Sequence, residues 1–114
     1  MAVQEAAKGA IEALVMTGEQ ADAHPKMRME LSTWGFSSYV EYIHRACEIL
    51  LEEDLLPHTN IGTLTLDELA SLKDVNASMG VMLESLSPIV ENGIAHKFAP
   101  TKVPDLRLET VRAA

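Results

Sequence analysis

Leu55-Leu56-Pro57-His58-Thr59-Asn60-Ile61-Gly62, then a capped segment from Thr65, then Asn76-Ala77-Ser78-Met79-Gly80-Val81-Met82-Leu83-Glu84-Ser85, is the stretch that decides the fold of this chain. An apolar run breaking into polar residues, a helix, and a second apolar run breaking the same way form the pattern of a βαβ unit. Gly80-Val81-Met82-Leu83 is the strand expected in the second half, ending directly at Glu84. Pro57 brings no N–H to a ladder, so pairing in the first half is expected to be brief or to stop near it. Both polar breaks fall at carboxyl ends of parallel strands, the edge where ligands bind because the loops vary while the strands hold them. His58, Asn60, Glu84 and Ser85 are the candidate residues here.

Working outward, Thr65 with Glu68 three residues on is a capping box, and Leu66, Leu69, Ala70 and Leu72 follow it as a helix that Asp74-Val75-Asn76 closes. Ser38 with Glu41 is a second capping box, heading a helix to about Glu53. Tyr39, Ile43, Ala46 and Leu50 make its apolar stripe, and Glu41, His44, Arg45, Glu48 and Glu52 its solvated face. Cys47, on the flank of that stripe, reads as a packed hydrophobe rather than a nucleophile. Pro25 opens a shorter helix, with Met27, Leu31 and Trp34 on one face and Gly35 at its end. Ala13-Leu14-Val15-Met16 reads as a strand buried on both faces that ends at Thr17-Gly18-Glu19, a third candidate site. Val3 to Ala10 has helix-forming composition, with Gly9 at a helix C-terminus.

Downstream, Ser87-Pro88 reads as the start of a short helix that Asn92-Gly93 ends, and Ile94 to Lys102 as loop. Pro104 opens a last helix whose Leu108 and Val111 are expected to face a core. The succession is parallel α/β. A closed (β/α) barrel needs about 250 residues, so a chain of 114 residues, 47% of them hydrophobic, is expected to be one partial barrel domain over 1–114, cut at both ends. No Gly-rich phosphate loop follows any strand.

Seventeen acidic against 9 basic residues, a net charge of -8, disfavour nucleic acid, whose binding depends on Lys and Arg displacing counterions. No apolar run reaches membrane-span length and no export signal is visible, so no membrane and a cytoplasmic address are expected. One cysteine makes no internal disulfide and no metal spacing, and His24, His44, His58 and His96 show no ligand spacing either. No metal site is expected within the chain.

Four ordered blocks carry a family resemblance: Ile11 to Glu19, Leu56 to Asn60, Val75 to Ser85, and Ala99 to Pro104. Together they resemble the first subunit of FO synthase, 7,8-didemethyl-8-hydroxy-5-deazariboflavin synthase. That family makes the deazaflavin chromophore of coenzyme F420 and belongs to the radical S-adenosylmethionine enzymes. The resemblance implies an α/β chain forming roughly the second to fourth strand-helix units of such a barrel. It implies a 4Fe-4S cluster and S-adenosylmethionine, cleaved to a 5'-deoxyadenosyl radical that cyclises a tyrosine-diaminouracil adduct with loss of ammonia. Thr17-Gly18-Glu19 matches the Gly-Gly-Glu motif whose carboxylate holds the cofactor's amino group. Glu84, with Ser85 beside it, matches the acidic position that binds the ribose hydroxyls, and His58 and Asn60 are the weaker candidates for substrate contact.

The implied partners are a small-molecule substrate, the rest of the barrel and the second FO synthase subunit. Three departures stand beside the match. The cluster's C-x3-C-x2-C cysteines are absent and would lie before Met1, Thr17 replaces the first glycine, and His96-Lys97-Phe98 stands where the family tends to carry His-His-Gly. The competing reading is a non-catalytic acidic α/β interaction module or decayed remnant.

Overall fold

The computed structural model describes residues 2–87, 89, 93–97 and 99–114. Three parallel strands, β1 (Glu12–Met16), β2 (Leu56–Asn60) and β3 (Ser78–Met79), lie in the order β1-β2-β3. Among the described residues they are accompanied by α1 (Ala2–Ala6), α2 (Pro25–Thr33), α3 (Tyr39–Glu52), α4 (Leu66–Lys73) and α5 (Pro104–Ala113). The chain is thus α/β with a small parallel sheet. The short helix expected from Ser87-Pro88 to Asn92-Gly93 lies largely outside the described residues.

Local chemistry sets the helix ends. Thr65 and Glu68 form the full capping box, each side chain taking the other's backbone N–H. At α3 only half of one forms: Ser38 accepts from the Glu41 N–H, while the Glu41 carboxylate turns to the backbone N–H (2.7 Å) and hydroxyl (2.6 Å) of Ser37. Pro25 occupies the first turn of α2, where its missing N–H costs nothing, and Gly35 follows that helix at φ +88.

The helices cover one face of the sheet. Leu31 from α2, Tyr39, Ile43 and Cys47 from α3, and Leu72 from α4 join Ile61 and Val75 in the core, against which Val15 and Met79 pack. Each buried Leu or Ile in this layer contributes about 1.5 to 3 kcal/mol, and the 0% exposure of Cys47 confirms the packed role its position suggests.

Several expectations need correction. β1 is buried on one face only: Ala13 and Val15 turn toward the helices, whereas Leu14 and Met16 are each 57% exposed. β2 does not stop at Pro57. It is the central strand and pairs through Asn60, because the Pro57 carbonyl accepts from Ala77 on the β3 side and its absent N–H lies just ahead of where β3 begins. The third strand is Ser78–Met79, not Gly80–Leu83. β2 ends at Asn60 and the chain turns at Gly62, so the apolar run beyond Met79 has no ladder to join, and Glu84 lies five residues past the strand. On α5 the buried residues are Arg107 and Thr110, while Val111 is 58% exposed. Trp34 likewise remains half exposed, stacked at a tilt on Tyr42.

Leu14, Met16 and Leu56 share the uncovered face with His58, Asn60 and Ser78, as the register pairs Leu14 with His58 and Met16 with Asn60. An apolar sheet face open to water favours association. Sedimentation of the 114-residue chain should therefore show concentration-dependent self-association, weakened by Leu14→Lys together with Met16→Lys. A strictly monomeric wild type would contradict the open face.

A candidate ligand site at the strand rim

The carboxyl ends of β1 and β2 open into a cavity of about 530 Å3, lined among others by Thr17, Gly18, Glu19, Asn60, Gly62, Glu84, Lys102 and Arg107. Five of the residues singled out in the sequence, Thr17, Gly18, Glu19, Asn60 and Glu84, therefore share one wall. His58 and Ser85 do not. His58 sits two residues inside β2, its Nδ1 at 2.6 Å from the Ser78 hydroxyl and its ring against Gly80. Ser85 serves the local chain, its Oγ accepting from the Ser87 N–H at 3.0 Å.

Glu19 stands at the cavity because β1 ends at Met16, three residues before it, and the chain leaves the sheet there. Its carboxylate pairs with Arg107, whose side chain is 1% exposed. Arg107 also donates to the carbonyl of Met82 at 2.7 Å, so one guanidinium joins the β1 rim to the segment after β3. Glu19 lies directly over Gly62, where φ is +92 and a Cβ would overlap the carboxylate arm. Glycine is required there twice, for the backbone and for the space. Glu19 Oε2 and Arg107 Nε are buried without a protein partner, which leaves polar capacity unused beside the cavity.

Glu84 occupies the left-handed region at φ +66 and pairs with Lys102 at 2.8 Å. The Lys102 hydrogen bond lowers its pKa, with the charges of Lys102, Arg107 and His96 acting the same way against a desolvation that raises it. Behind the cavity, Thr17 hydrogen-bonds the Tyr39 hydroxyl, and burial pushes that phenol's pKa up. The rim thus carries two carboxylates and two cations around a space that suits a small polar ligand.

Lys102 and Arg107 had no role in the sequence reading. Both follow Glu84 by 18 or more positions, and Arg107 was hidden because the buried face of α5 was sought among its apolar residues. The one signal was the pair of basic residues flanking Pro104 in an otherwise acidic chain.

The same chain matches known proteins. It is 46% identical over 107 residues to the 7,8-didemethyl-8-hydroxy-5-deazariboflavin synthase of Methanocaldococcus jannaschii, covering 93% of this chain and 30% of that protein. The synthases of Methanobrevibacter smithii (107 residues) and Methanothermobacter thermautotrophicus (106 residues) are each 44% identical over 93% of this chain and 32% of their own length. The chain matches a segment of the FO synthase family. It spans about a third of the length of these relatives. No family model and no solved structure matches it.

Removing Arg107 leaves the Glu19 charge in a site built for a partner. Arg107→Met should cost about 3 kcal/mol in urea unfolding, and adding Glu19→Gln should recover part of that loss. With Glu19→Gln measured alone as well, the costs of the two substitutions should be non-additive, and strictly additive costs would show that the two side chains do not interact.

Proposed function

We propose that this segment forms an arc, roughly the second to fourth strand-helix units, of a radical S-adenosylmethionine barrel, and that its rim cavity holds part of S-adenosylmethionine in an FO synthase. The observation that carries this reading is the meeting of Thr17, Gly18, Glu19, Asn60 and Glu84 on one cavity at the carboxyl edge of parallel strands, in a chain 44–46% identical to named FO synthases. The sequential strand order with helices on one face is how barrel units are built.

The rim suits such a ligand. Glu84 is placed to accept hydrogen bonds from ribose hydroxyls, and charge-assisted bonds of that kind orient a ligand strongly. Glu19, paired with Arg107, lines the same cavity and is the proposed partner of the cofactor's ammonium. Asn60 supplies a neutral amide on the same wall. S-adenosylmethionine would bring the adenosyl group with which radical chemistry begins. The product of the whole enzyme would be the deazaflavin FO, formed from a tyrosine-diaminouracil adduct with loss of ammonia, and the second subunit its partner.

A 4Fe-4S cluster does not fit the described residues. Cys47 is fully buried under the sheet, its thiol pKa raised by burial, with Asn76 as its neighbour. No group of three or more His, Cys, Asp or Glu side chains stands where it could hold a metal among the described residues. No step through a cluster is therefore assigned to this chain. No helix among the described residues is long and apolar enough to cross a membrane; a cytoplasmic address is part of the FO synthase reading.

The test grafts residues 11–114, Arg107 included, into a full-length relative and measures S-adenosylmethionine binding by equilibrium dialysis. Glu84→Gln and Glu19→Gln should each weaken binding by about 1.5 to 3 kcal/mol, with Glu52→Gln on the outer face of α3 as control. Binding equal to the control in both variants would contradict the assignment of the rim.

A further inference from the structure

We infer that Lys102 is a positioning residue for Glu84, holding that carboxylate where it is aimed at a vicinal diol in the cavity. The inference rests on the reading of the cavity as an adenosyl site. Three features of the chain support it. Glu84 is held at φ +66, a conformation unfavourable for a residue with a Cβ, so something outside its own backbone must keep it there. The Lys102 ammonium grips its Oε1 at 2.8 Å, and both side chains are about 30% exposed, within reach of a ligand. The turn is also tied at its other end, since Arg107 binds the carbonyl of Met82 two residues earlier.

Lys102 and Arg107 thus belong to one stretch, the entry to α5, that grips residues 82–84 at two points. A lysine is suited to this task. Its ammonium meets a single oxygen, Oε1, so the rest of the carboxylate's acceptor capacity remains for another donor. Glu84 is faced by Lys102 from the segment before α5, by Arg107 from α5 and by His96 from a short 3-10 turn, while Glu19 is the other carboxylate on the cavity. The Lys102 contact is the largest of the influences that lower the Glu84 pKa. The sign follows: the carboxylate stays charged as pH falls through the usual glutamate range and loses the contact only below it, at its own depressed value.

The experiment is a carboxyl-carbon NMR titration of the 114-residue chain with labelled glutamate, Glu84→Gln identifying the resonance. In the wild type Glu84 should titrate below the usual glutamate range. Lys102→Met should move it up into that range, and Lys102→Arg should bring it back down. In a full-length relative carrying residues 11–114, adenosine binding should weaken about tenfold in Lys102→Met, as expected when a charge-assisted contact loses its orientation, and 2',3'-dideoxyadenosine should show no such difference. A wild-type Glu84 that already titrates in the usual range, or one that Lys102→Met leaves unmoved, would overturn the inference, and the wild-type measurement stands even where a variant fails to fold. Adenosine that binds no variant, with the titration as expected, would instead overturn the adenosyl reading and leave the Lys102–Glu84 pair in place.

Discussion

The buried guanidinium of Arg107 is the contact on which the rim depends. A charge that is 1% exposed is tolerated only when paired and hydrogen-bonded, and Arg107 is held by Glu19 from the β1 rim and the Met82 carbonyl from the segment after β3, with Nε alone left unpaired. The two partners stand far apart in sequence and are brought together by the register of β1 on β2 and by α5 lying beside α4. Gly62 completes the arrangement by leaving the space that Glu19 fills. Without this guanidinium, nothing described here would tie the β1 rim to the turn that presents Glu84.

The sheet has two unlike faces for a simple reason. Strand side chains alternate, so Val15, Pro57 and Thr59 go to the helices while Leu14, Met16, Leu56, His58 and Asn60 go the other way. The second set mixes apolar and polar residues, as an interior that must both pack and touch a ligand would. His58 and its Ser78 neighbour belong to that face rather than to the cavity.

Much of this was legible in the sequence, where local chemistry decides local structure. The Thr65–Glu68 box, Pro25 in the first turn of α2, the packed Cys47 and the Tyr39–Ile43 half of the α3 stripe followed from local pattern, while Ala46 and Leu50 stay only partly covered. What failed depended on neighbours. Gly80-Val81-Met82-Leu83 has strand composition, but a strand needs a ladder and β2 has already turned away at Gly62. Pro57 predicts pairing that is brief or stops nearby; β2 is short, but it pairs on through Asn60, because the missing donor falls just ahead of where β3 begins. The site was half legible: the carboxylates stood at the breaks of apolar runs, whereas Lys102 and Arg107 become visible only once α5 is folded against the rim.

The central claim is that the rim of β1, β2 and the turn after β3 forms one adenosyl site. The most direct measurement is a crystal structure of a full-length FO synthase carrying this segment, grown with S-adenosylhomocysteine. The account predicts ribose hydroxyls within hydrogen-bonding distance, about 2.5 to 3.0 Å, of the Glu84 carboxylate, with Lys102 still on its other side. A ligand bound elsewhere, or a Glu84 turned away from the ribose, would contradict it.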